Sequence, residues 1–137
     1  MSNLMFGLLV VFSLAFSLFT EATAQEPPAV SNLIREETPR SLDEVKAALE
    51  TAAKERGYGV AAVHDLPAMM AKRGVEFART VFVFEVCHPE QAKAVLSERM
   101  DASTLLPCRI SVWVEGDKVV VATVKPTVLL ATLGNAE

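Results

Sequence analysis

Cysteine, histidine, tryptophan and tyrosine are scarce in this chain. Its 137 residues include two cysteines, two histidines, one tryptophan and one tyrosine. Two cysteines are too few for a disulfide scaffold, so burial of apolar surface must do most of the folding. There is no C-x-x-C, no C-x-x-C-H and no H-E-x-x-H, so the spacings that mark zinc ribbons, covalently held haem and zincins are excluded. No glycine-rich phosphate loop and no nucleophile elbow is present. Positive charge is also short, with 13 Lys and Arg against 17 Asp and Glu, and this argues against a nucleic-acid surface, which needs a basic stripe.

What the chain has in abundance is apolar residues, 51% of the total, and many of them stand at the start. Leu4 to Phe19 carries no charge and is 16 residues long. That falls short of the ~20 apolar residues that span a bilayer, so an anchor helix is the poorer reading. Ala22 and Ala24 follow with the small-residue pattern of a cleavage site, although Met1-Ser2-Asn3 lacks Lys and Arg. Residues 1–24 are therefore expected to be a signal peptide, 25–31 a linker around Pro27-Pro28, and 32–137 one domain. Export implies a periplasmic or secreted protein with no membrane span once the leader is removed. The leader contains one acid, Glu21, and no base, so the mature chain would keep 16 acids and 13 bases.

Along the domain, Asn32–Glu37 is expected as a short strand. Ser41-Leu42-Asp43-Glu44 is a capping box, in which hydroxyl and carboxylate each serve the other residue's backbone N–H. Leu42, Val45, Ala48, Leu49, Ala52 and Ala53 then recur at helical spacing as far as Gly57. Tyr58–Val63 reads as a strand, followed by His64-Asp65 and a short helix over Pro67–Lys72, stopped by Gly74. Val81–Val86 reads as a central strand. Pro89 opens a helix whose buried side is Ala92, Val95, Leu96 and Met100. Cys108–Val114 and Val119–Val124 are strands of a hairpin around Glu115-Gly116-Asp117-Lys118, and Thr127–Leu133 reads as a last helix.

Alternation puts Cys108, Ile110, Val112 and Val114 on one face of their strand and Arg109, Ser111, Trp113 and Glu115 on the other. Val81–Val86 is apolar on both faces, which a strand buried on one side only should not be. Either the chain's own loops and edges roof the second face, or a partner subunit or ligand cavity meets it.

The candidate site residues are Cys87, Cys108, His64, His88, Glu85 and Arg109. Cys87 stands just before a helix N-terminus, where a thiolate is favoured, so it could be a nucleophile or a soft metal ligand. In an oxidising compartment it could instead pair with Cys108, closing a loop of about 20 residues for about 3 kcal/mol. His64 and His88 fall at strand ends, so a Cys/His site for haem, copper or zinc, drawn from Cys87, His64, His88 and Cys108, is conceivable. Ordinary surface or capping roles suit each histidine taken singly. Glu85, inside an apolar strand, needs a partner, and Arg109 has the chemistry to be one. Met69, Met70, Met100 and Trp113 are read as core filling rather than a soft-metal or aromatic site.

Tyr58-Gly59-Val60, His64-Asp65-Leu66, Phe84-Glu85-Val86-Cys87-His88-Pro89 with Gln91-Ala92, Leu106-Pro107-Cys108-Arg109-Ile110-Ser111-Val112 and Lys125-Pro126 stand in the order of a known family. In these segments, over about Leu33–Leu130, the chain resembles the domain of unknown function 302 (DUF302). The resemblance implies an α+β fold of the TATA-binding-protein-like kind, a curved antiparallel sheet with helices on one face, and a tendency to dimerise. It carries no settled activity. His88 departs from the Asn common at that place, so a ligand role for His88 would not be a family property. The functional expectation is an exported, homodimeric, non-enzymatic binding or accessory module for a small ligand. The rival is a Cys/His site that binds haem or a soft metal, or a thiol redox or sulfur-transfer protein.

Overall fold

The computed structural model describes residues 32–134, so the expected signal peptide and linker lie outside the described residues. Five strands form one antiparallel sheet: β1 (Leu33–Thr38), β2 (Gly59–Asp65), β3 (Val81–Cys87), β4 (Cys108–Glu115) and β5 (Lys118–Val124), in the order β1-β5-β4-β3-β2. The helices are α1 (Leu42–Glu55), α2 (Leu66–Ala71), α3 (Pro89–Glu98) and α4 (Pro126–Ala131), with a 3-10 helix at Met100–Leu105 between α3 and β4. The α+β expectation holds. No helix among the described residues is long and apolar enough to cross a membrane.

Local chemistry explains most of the boundaries. Ser41 caps α1 with both halves of the capping box in place, the Glu44 carboxylate accepting from Ser41 N–H at 2.9 Å. Pro89 occupies the first turn of α3, where an absent N–H costs nothing. Gly116, at φ 61°, makes the two-residue turn between β4 and β5, whose ends pair as Glu115 with Lys118.

Some expectations need correcting. β2 runs to Asp65, so His64 lies within the strand rather than after it, and the Asp65 carboxylate caps α2 by accepting from Ala68 N–H. Strand β3 is interior, but β4 is the middle strand. Met100 is not on the buried side of α3: the helix ends at Glu98, Arg99 is extended, and Met100 is 71% exposed at the start of the 3-10 turn. The apolar period of α3 runs on past the break at Arg99 without marking it.

Pleating sorts the sheet into two faces. On the first, Phe82 opposes Val112, Phe84 opposes Ile110, and Val86 opposes Cys108. Phe84 and Val112 are fully buried there, and Val45 of α1 packs with them, Val86 and Val119 in one cluster. Each such side chain contributes about 1.5–3 kcal/mol by leaving water. The second face carries Val81, Val83, Glu85, Arg109, Ser111, Trp113, Val120 and Ala122. Val120 is nevertheless fully buried. Its neighbours in register are Trp113 and Glu37, and the Arg35 guanidinium lies 5.8 Å from the Trp113 ring centroid, so long side chains of β1 and β4 roof it. Arg35 also pairs with Glu37 and Glu115, and Lys118 reaches Glu37 at 3.0 Å.

A candidate ligand cleft at the cysteine end of the sheet

Strand β3 ends at Cys87 and strand β4 begins at Cys108, so antiparallel pairing brings both cysteines to the same end of the sheet. The connection between them folds back as α3 and the 3-10 helix, and α4 closes beside it. Together these elements line an open-sided cleft of ≈ 130 Å³. Val86, Ala92, Val95, Ala102, Leu129 and Leu130 supply apolar wall, while Tyr58, Cys87, His88, Gln91 and Cys108 supply its polar and sulfur groups.

His88 is held from several sides. It is the N-cap residue of α3, but its side chain makes no capping hydrogen bond. The ring meets Tyr58 edge-on, at 5.2 Å between centroids and 85° between planes. It also lies close to Gly57, since a Cβ there would stand 3.2 Å from His88 Nε2. Its Nδ1 is buried and has no hydrogen-bond partner among the described residues. Such an atom is costly unless a water or a ligand serves it. The Tyr58 hydroxyl donates to Gln91 Oε1 at 3.4 Å, tying β2's approach to α3.

Both cysteines are free thiols. The disulfide expected between them is absent for a reason of register: Cys108 is paired with Val86, which leaves Cys87 one residue out of step and on the other side of the pleat. Burial, and then the neighbouring Cys87, push the Cys108 thiol above its ordinary pKa.

The other candidates stand elsewhere. On the second face, the face of Trp113, Arg109 of β4 stands opposite Glu85 of β3, and His64 of β2, opposite Val83, reaches Glu85 diagonally. His64 Nε2 lies 3.2 Å from Glu85 Oε1, while Arg109 Nε lies 3.9 Å from the same oxygen. Glu85 therefore has its expected partner Arg109 only at the edge of contact, and His64 stands nearer. A side-chain exposure of 23% leaves Glu85 partly wet, which relaxes its need for a partner. The four residues named for a metal, Cys87, His64, His88 and Cys108, are thus divided between two places. Among the described residues, no group of three or more His, Cys, Asp or Glu side chains is arranged to hold a metal ion.

Tyr58, Gln91 and the walls from Ala102, Leu129 and Leu130 were missed as site residues. Tyr58-Gly59 and Gln91-Ala92 stand among the segments that carry the resemblance, and this was their only signal. The α4 side chains gave none, because only the tertiary fold brings them to the cysteines.

The family model for "Domain of unknown function DUF302" matches residues 34–137, and so takes in every element from β1 to α4 except the first residue of β1. The chain belongs to the DUF302 family. It is similar to the crystal structure of an uncharacterized conserved DUF302 protein from Bacillus stearothermophilus, at 25% identity and a TM-score of 0.73. That likeness covers 77% of this chain and 82% of the other. No curated protein matches. The cleft of this DUF302 chain must therefore be read from its own residues.

Proposed function

We propose that this DUF302 protein is an exported, homodimeric binding module for a small, largely apolar molecule held in the cleft between α3, the 3-10 helix, α4 and the ends of β3 and β4. The observation that carries the reading is the cleft itself, where an apolar wall meets Cys108, Cys87 and His88, the last with a buried ring nitrogen that has no partner among the described residues. A cavity of ≈ 130 Å³ has the scale of the engineered cavity, about 150 Å³, that takes up benzene. Export is supported by the apolar leader and Ala22-Thr23-Ala24. Dimerisation is supported by the second sheet face, where Val81, Val83 and Trp113 stay half-buried in the monomer. The module works by holding its ligand, and nothing in its sequence signature assigns it a turnover reaction.

Benzene titration into isotope-labelled protein tests the cleft. Saturable shifts are expected at Val86, Ala102, Val95 and Leu129, with the second-face residues Val81 and Ser111 unmoved. Uniform shifts, or none at the solubility limit of benzene, would reject the cleft as a ligand site.

A further inference from the structure

We infer that the connection between α2 and β3 is a docking surface for an anionic lipid bilayer. Every residue from Ala71 to Thr80 is exposed, and the stretch Lys72-Arg73-Gly74-Val75-Glu76-Phe77-Ala78-Arg79-Thr80 carries three bases and one acid. The whole chain has 13 bases against 17 acids, so the charge of the molecule is reversed here. Large apolar side chains stand among the bases: Val75 is 53% exposed, Phe77 43%, and Met69 in α2 48%. Exposed apolar side chains scattered singly need no explanation, but three within nine residues, interleaved with bases, do.

The backbone beneath them is held at both ends. Gly74, at φ 76°, terminates α2, its N–H donating to the Ala71 carbonyl and the Val75 N–H to that of Met70 at 3.1 Å. At the other end the Thr80 carbonyl accepts from Val114 N–H at 3.3 Å. The bases are also uncommitted. Among the described residues none of Lys72, Arg73 and Arg79 forms an ion pair, whereas Arg35, Arg99, Arg109 and Lys118 each stand within reach of a carboxylate.

Charge and size choose the occupant. A two-fold contact with a second copy through this segment would set the three bases of one copy against the same three of the other. A stable protein partner engages about 20–30 residues a side, more than this turn presents. A bilayer surface asks less: Phe77, Val75 and Met69 enter the boundary between headgroups and acyl chains while the Lys and Arg side chains stay among the phosphates. Only lipids of net negative charge match the bases. Charges more than about 8–10 Å apart are screened at physiological salt, so acids on the far side of the molecule oppose this little. Topology orients the docked protein. The segment leads into the start of β3 at Val81, whereas the cleft lies at the other end of that strand, at Cys87, so docking leaves the cleft remote from the lipid.

The test uses full-length protein and vesicles with brominated acyl chains, made either of phosphatidylcholine alone or with an equal share of phosphatidylglycerol. Phe77→Trp places a fluorophore in the segment, and Met100→Trp places one at an exposed position outside it, each read against the parent chain with its own Trp113. Quenching of Phe77→Trp is expected to be at least about fivefold stronger on the anionic vesicles, the worth of a single base, with no such difference for Met100→Trp. Adding Arg73→Gln or Arg79→Gln should each weaken docking on the anionic vesicles about fivefold. Attachment through the apolar Leu4–Phe19 run would move both fluorophores together and does not imitate this result. Circular dichroism checks folding, and Val75→Trp replaces Phe77→Trp if that variant is unfolded. Equal quenching of Phe77→Trp on the two compositions, or quenching no stronger than that of Met100→Trp, would overturn the docking surface. So would a dimer in analytical ultracentrifugation that Phe77→Ser alone converts to monomer, since the segment would then belong to a second copy.

Discussion

A methyl group at Gly57 would meet the His88 ring. The residue holds φ at 75°, and an added Cβ would stand 3.2 Å from Nε2, so Gly57→Ala combines backbone strain with a forced shift of the ring. The left-handed conformation costs an L-residue about 1–2 kcal/mol, and the variant should lose at least that much in denaturant unfolding while the His88 ring resonances move. Unchanged stability with unmoved resonances would contradict the contact. Glu37 supplies a second residue-scale prediction. Its hydrogen bond to Arg35 first, and then that to Lys118, hold its carboxyl below the ordinary carboxylate value. A group whose folded pKa is lowered stabilises the fold fully above its unfolded pKa, about 4.3 for Glu, and loses that contribution as pH falls through the lower folded value. Glu37→Gln should therefore reduce the dependence of the melting temperature on pH below about 4, and leave it unchanged above about 6. The residues of the cleft were partly legible in this way from type alone: Cys87, His88 and Cys108 were candidates by chemistry. Pleating separates Cys108 from Glu85 and Arg109, and Cys87 and His88 join it because they stand at the end of β3 beside the N-terminus of α3.

At the scale of elements, the signals that worked were local ones. Ser41 with Glu44, Pro89, and Gly116 in the hairpin each satisfy or spare backbone groups within a few residues, so α1, α3 and the β4–β5 turn could be placed from spacing. Ser41→Ala should lower stability by about 1 kcal/mol and fray the first turn of α1, detectable by amide exchange at Asp43 and Glu44. The end of α3 was not legible, because what holds it is distant in sequence. Arg99 donates to Asp101 through Nε and Nη2 at 2.9 and 2.8 Å, and also reaches the carbonyls of Gly134 at 2.8 Å and Leu133 at 3.2 Å. It thereby ties the chain after α4 to the start of the 3-10 helix, on the side of the cleft. Arg99→Ala removes these charged hydrogen bonds, and is expected to lower the melting temperature and to raise the reactivity of Cys108 toward thiol reagents by loosening α4. Cys108 reactivity equal to that of wild type would show that this tie does not guard the cleft.

The whole molecule has one face filled by α1 and the cleft-forming helices, and one face roofed by its own long side chains around Trp113. The proposed dimer belongs to this second face. Trp113→Lys should convert it to a monomer in analytical ultracentrifugation at high micromolar concentration with an unchanged circular dichroism spectrum. A wild-type monomer under those conditions would remove the basis for the idea.

Spacing determined that α1 is capped by Ser41, that one strand ends beside Cys87 and that another begins at Cys108, because caps, turns and alternation act over short distances, while the α+β fold of one domain over 32–137 was legible through the family resemblance. Tertiary structure decided the rest. The β1-β5-β4-β3-β2 order places β4 in the middle, the register sets Cys108 against Val86 instead of Cys87, and α4 arrives at the cleft from the far end of the chain. The physical reason is common to all three. They depend on which strands pair and in what register, and pairing partners far apart in sequence are chosen by the burial of both faces together rather than by any one segment.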